Sequence, residues 1–95
     1  MVLLGCAHSG VVNTLQFIDE LTGGKPIHAV LGGMHLVQAS SQRLSRTLQA
    51  LRAWDIRMLG PAHCTGMAAT AAMWNAFSDR CVSCHVGARF EFELL

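Results

Sequence analysis

Three short apolar runs in this chain end in the same four-residue pattern, Gly-x-x-His: Gly5-Cys6-Ala7-His8, Gly32-Gly33-Met34-His35 and Gly60-Pro61-Ala62-His63. The patterns start 27 and 28 residues apart, close to the length of one strand-loop-helix unit. A glycine at the end of a strand lets the backbone turn sharply and aims the histidine that follows at solvent. If the three strands lie side by side in one sheet, their C-terminal ends share an edge and the histidines converge. Three convergent imidazoles are the raw material of a metal site.

Other residues offer chemistry beside them. Cys6, two residues before His8, is a soft donor that can serve as an alternative ligand, or else a small buried apolar residue. Cys64 adjoins His63 and carries less weight. Ser9-Gly10 and Thr65-Gly66 precede helices, where unpaired backbone N–H groups and the helix dipole can hold a phosphate; the plain alternative is a helix cap. His28 matches no motif and reads as structural. Cys81-Val82-Ser83-Cys84-His85 is a literal C-x-x-C-H, the pattern of covalent haem attachment. Haem attachment of that kind requires export, and a zinc site would need two further ligands that no second C-x-x-C offers. A loop with free thiols is the expectation there.

The elements that must position these residues follow from periodicity. Val2 to Leu4 reads as a short buried strand. Val11, Leu15, Ile18 and Leu21 then recur at helical spacing until Gly23-Gly24. Ile27 to Leu31 reads as a second strand. Ser40 or Ser41 caps a helix with a Leu44-Leu48-Leu51 stripe, its arginines 43, 46 and 52 reaching solvent. Ile56 to Leu59 is a third strand, and the uncharged helix from Met67 to Phe77 is expected to be buried on most of its surface. The tail from Val86 to Leu95 alternates charged and apolar residues, the pattern of a half-exposed edge strand. The order β-α-β-α-β-α-β favours an α/β sheet, parallel among its first three strands, with helices on at least one face.

Composition narrows the function classes. Over 95 residues, 52% are hydrophobic and 14% charged, more apolar than an average soluble domain. So small a chain cannot cover that much apolar surface alone, which implies burial against another domain or subunit. A net charge of +1 with scattered basic residues argues against nucleic acid and anionic membrane as partners. No stretch is long and apolar enough for a membrane span. The N-terminus has no basic leader and Gly5 ends its apolar run, so the expected location is cytoplasmic and the four cysteines are expected to be thiols or ligands. The sequence starts inside its first strand, as a fragment would.

Four collinear segments carry a family resemblance: Gly5-Cys6-Ala7-His8-Ser9-Gly10-Val11-Val12-Asn13, Gly32-Gly33-Met34-His35-Leu36, Pro61-Ala62-His63-Cys64-Thr65-Gly66 and Val86-Gly87-Ala88-Arg89-Phe90-Glu91-Phe92. Together they resemble the C-terminal half of a metallo-β-lactamase-fold protein, in particular the dihydropterin ribofuranosyl-aminobenzene phosphate synthase-like branch. The resemblance spans residues 1–95 and implies half of an αββα sandwich with a metal site at the sheet edge where the halves meet. It implies His8 and His63 as ligands of a divalent metal, zinc first and manganese or iron as alternatives. His35, with Ser9 and Thr65, would contact the substrate.

The family's H-x-H-x-D-H motif, which supplies most ligands from the N-terminal half, is absent from this sequence. No catalytic residue is therefore assigned within the chain. The resemblance implies part of a metal-dependent hydrolase acting on a small phosphate-bearing, pterin-related or ribosyl substrate, completed by the missing half or by a second copy in a homodimer. The alternative is an inactive half-domain serving as a binding or assembly module. Its apolar sheet face opposite the helices, Val30 included, is expected to be the surface that associates.

Overall fold

The computed structural model describes residues 1–93. Three strands, β1 (Val2–Leu4), β2 (Ala29–Gly33) and β3 (Met58–Ala62), form one parallel sheet in the order β1-β2-β3. Between and after them come α1 (Val11–Leu21), α2 (Ser41–Ala53) and α3 (Met67–Ala76), with a 3-10 turn at His63–Thr65 leading into α3. Two successive right-handed crossovers that advance in the same direction leave their helices on the same side of the sheet. Val2, Val30 and Leu59 stand in register across the three strands and form one core with Leu15 of α1, Leu51 of α2 and Met73 of α3. Those three helix residues are fully buried, and each such side chain contributes about 1.5–3 kcal/mol of transfer free energy.

Local signals set the helix ends. Ser40 caps α2, its hydroxyl accepting from the Arg43 N–H at 3.1 Å. Gly10 and Gly66, both at positive φ, stand at the N-termini of α1 and α3 with no side chain to cap them. Arg52 does not simply reach solvent: it donates to the Ala76 carbonyl at 2.9 Å and lies over the Phe77 ring at 4.6 Å, tying α2 to the end of α3.

Four expectations are corrected. Strands β2 and β3 start two residues later than their apolar runs, because the ladder continues through Gly32-Gly33 and Gly60-Pro61-Ala62; the glycines lie within the strands. The tail forms no strand over residues 86–93; residues 94 and 95 lie outside the described residues. The place beside β3 is taken instead by a single parallel bridge from Leu59 to Cys81, and beyond a turn at Gly87 (φ 91°) the Phe92 ring stands edge-on to His28 at 6.3 Å. Helix α3 buries Ala69 and Met73 but leaves Met67 91% exposed and Trp74 at the surface; lack of charge had made it look central. Val30 faces the helices and is fully buried, so it is no part of an open face.

The opposite face carries Leu3, Leu31 and Gly60. Leu3 is exposed, whereas Leu31 is covered. A side chain at Gly60 would meet Leu31, Val82 and Cys84, so the bare glycine is what lets the segment after Cys81 lie across this face.

Candidate metal centre

All three strands run parallel, so the residues after β1, β2 and β3 emerge at one edge of the sheet. The backbone there is forced into unusual shapes. Ala7, His35 and His63 all have positive φ, at 45°, 52° and 52°, a left-handed conformation that costs a residue with a Cβ roughly 1–2 kcal/mol. The same device recurs at each strand end, beside or at each histidine. Strain of this kind gathers where surrounding structure needs a side chain in one place. Gly32 and Gly33 make the approach possible. A Cβ on Gly32 would overlap the Leu4 carbonyl, and one on Gly33 would overlap the Gly5 carbonyl and press on the Cys64 sulfur.

The rings of His8 and His35 meet with centroids 4.5 Å apart, and both residues are exposed. His63 takes part in a tighter group: its ring nitrogen and the sulfurs of Cys6 and Cys64 lie within 4.8 Å of one another. Among the described residues this trio, rather than the three histidines, forms the close donor cluster. The Cys64 sulfur accepts the His35 N–H at 3.2 Å and its thiol donates to the Cys6 carbonyl at 3.4 Å. The Cys64 carbonyl accepts from the N–H groups of Leu36 and Val37, so the turn after β3 is sewn to the loop after β2. Burial, and then the neighbouring Cys64, push the Cys6 thiol above its ordinary value. Imidazole and thiol donors of this kind fit a borderline-soft divalent ion.

Beside the centre lies a cleft of about 520 Å³ lined by His8, Ser9, the first turn of α1, Ser40, Arg43 and Arg46. The Arg43 guanidinium lies near the start of α1, 3.9 Å from where a Cβ on Gly10 would stand. Among the described residues neither Arg43 nor Arg46 forms an ion pair. Helical periodicity places these two arginines only on the solvated face of α2; their approach to α1 depends on the packing of α2 against it, which periodicity does not reveal.

The side chain of Thr65 is not available to a substrate. It is fully buried, accepting from the Met34 N–H at 3.1 Å and donating to the Ala62 carbonyl at 2.8 Å, and thereby fastens the turn after β3 to the end of β2. His28 precedes β2, and its carbonyl accepts from Arg57 and Met58 N–H groups in a structural role. In the C-x-x-C-H segment, Cys81 belongs to the core while His85 is exposed and close to its own neighbour's carbonyl. With one of its two sulfurs in the core, the segment has no haem-binding arrangement.

No family model matches the chain. It is 28% identical over 92 residues, 97% of its length, to the 7,8-dihydropterin-6-methyl-4-(β-D-ribofuranosyl)-aminobenzene-5'-phosphate synthase of Methanocaldococcus jannaschii, of which it matches 31%. An uncharacterized protein of the same organism is 36% identical over 69 residues, 73% of this chain and 25% of that protein. The crystal structure of a metal-dependent hydrolase of the β-lactamase superfamily superposes with a TM-score of 0.87 at 30% identity, covering 95% of this chain and 35% of the other. The chain thus spans about a third of the length of the proteins it resembles.

Its three-stranded α/β architecture matches a β-lactamase-fold half. In sequence it is similar to the dihydropterin ribofuranosyl-aminobenzene phosphate synthase branch. No helix among the described residues is long and apolar enough to cross a membrane.

Proposed function

We propose that this chain is the C-terminal half of a metal-dependent, hydrolase-type site that acts on a small phosphate-bearing, pterin-related molecule. The observation that carries the reading is the convergence of three Gly-x-x-His turns at one sheet edge, with His8 against His35 and the arginine-lined cleft alongside. His8 and His63 are the ligands offered from this half, and His35 and Ser9 line the approach of the substrate. Zinc suits nitrogen and sulfur donors best; manganese and iron would draw on oxygen ligands from elsewhere. When bound, a divalent ion there supplies Lewis acidity toward a phosphoryl or acyl oxygen. Arg43, Arg46 and the first-turn N–H groups of α1 suit a phosphate group, through charge and unpaired donors.

The remaining ligands are assigned to an N-terminal half bearing H-x-H-x-D-H, or to a second copy of this chain. A cytoplasmic setting accords with four cysteines that remain free thiols. The test is to assay the chain alone and with an N-terminal half that carries the motif. Phosphoesterase turnover is expected only in the mixture, and metal binding is expected to be tighter there than in the chain alone. Robust turnover by the chain alone, abolished by His63→Ala, would overturn the half-site reading.

A second reading, a non-catalytic assembly module, is favoured by exposed apolar residues outside the metal centre. Met67 and Trp74 of the uncharged α3, with Val86 of the tail, are open to solvent. Concentration-dependent self-association without metal loading in the mixture would select it.

A further inference from the structure

We propose that Cys6, Cys64 and His63 form a thiolate-rich site for a thiophilic divalent ion, held by this chain alone. It shares His63 with the imidazole pair His8 and His63 but takes its other two donors from sulfur, and ion binding there does not require the hydrolase reading. Two of its three donors come from one turn. Consecutive side chains diverge along an extended strand, but His63 has φ 52° and opens the 3-10 turn, and this bend brings its ring and the Cys64 sulfur to one point. Cys6 arrives from the end of β1, so that all three donor atoms lie within 4.8 Å of one another. Bonds of about 2.3 Å to sulfur and about 2.0 Å to nitrogen around a tetrahedral ion require only a modest contraction from there.

The surroundings suit thiolates. The His35 N–H points at the Cys64 sulfur at 3.2 Å and would stabilise negative charge there. Gly33 makes room for that sulfur: a Cβ at this position would stand 3.0 Å from it. Cys6 and Cys64 are each partly buried and His63 is exposed, so the sulfurs stand at the covered side of the site and the imidazole at its open side. Three protein donors leave a fourth position for an exogenous donor. Binding converts two thiols and one divalent ion into a dithiolate complex and releases two protons to solvent.

Cobalt(II) titrated into the full chain reads the site directly. The wild-type protein is expected to develop sulfur-to-cobalt charge-transfer absorption in the near ultraviolet and to release two protons per ion in weak buffer. Cys6→Ser and Cys64→Ser should each remove about half of that absorption, since one of two thiolates remains, and His8→Ala should leave it in place. Cobalt binding without the charge-transfer band or proton release, and lost with His8→Ala, would overturn this site and leave the imidazole reading standing. A band indifferent to both serine variants would assign the thiolates to Cys81 and Cys84 and overturn it as well. So would failure of the folded wild-type chain to bind cobalt. Band and proton release are both read on the wild type, so a variant that misfolds does not remove the test.

Discussion

The imidazole of His8 rests against that of His35, ring centroids 4.5 Å apart and planes inclined by 48°, although a whole helix separates them in the chain. The contact joins the ends of β1 and β2 on the edge where His63 also emerges. Such neighbours are not equivalent as ligands, because His63 alone shares a close cluster with two sulfurs. We expect His63→Ala to weaken zinc binding by more than about 100-fold and His35→Ala by about 10-fold, the lower end of the scale on which outer partners act. Isothermal titration of both variants checks this. Equal losses would contradict the assignment.

The glycine pair at the end of β2 is a packing requirement. Gly32 has φ 121° and its Cβ would overlap the Leu4 carbonyl, while the Cβ of Gly33 would overlap that of Gly5. Gly32→Ala adds backbone strain to a clash against main chain that cannot move aside, so a loss of at least about 3 kcal/mol is expected. Urea denaturation measures it. A near-neutral result would mean that the β1 and β2 ends part more easily than their register implies.

Thr65 offers a cleaner test of how the site is fastened. Thr65→Val keeps the shape but leaves the buried Met34 N–H without its acceptor, at a cost of about 1–3 kcal/mol. Thr65→Ser restores the hydroxyl and should recover most of that stability. If serine fails to do better than valine, the methyl contact rather than the hydrogen bond holds the turn.

Cys81 makes stability depend on alkaline pH. Burial first, and Asp79 second, raise its thiol above the ordinary value of 9.0. The native chain therefore keeps this proton at pH values where the unfolded chain has lost it. This favours unfolding, so stability should be level below about pH 9 and fall as pH rises beyond it. Cys6 is shifted in the same direction and adds to the slope. Denaturant midpoints at about pH 8 and about pH 10 should differ less in Cys81→Ala than in the wild type; an unchanged difference would remove Cys81 from the account.

Much of the fold was legible because it rests on local signals. Helical spacing of Val11, Leu15 and Ile18, the Ser40 cap and the two short apolar runs before Gly32 and Gly60 each report on neighbours within a few residues. The tail misled for the same reason. Alternation of Arg89, Glu91 and Glu93 with Phe90 and Phe92 records which residues prefer water, but a strand also needs a neighbour with open hydrogen-bonding groups. The Leu59–Cys81 bridge already occupies that edge. Helix α3 shows the converse error, since an uncharged sequence says that a surface tolerates burial and not that something covers it.

By itself the sequence determined that three histidines follow three strand ends, because glycine spacing and apolar runs act through the backbone nearby. It also carried the resemblance to the metallo-β-lactamase fold. Only the tertiary structure decided which donors meet. Cys64 comes near Cys6 because parallel pairing in one register stacks the ends of β1, β2 and β3, and because Gly33 has no Cβ to keep the sulfur away. Arg43 and Arg46 face the start of α1 only because α1 and α2 pack side by side on the same face of the sheet. These are distances between residues far apart in the chain, set by packing that no local pattern encodes.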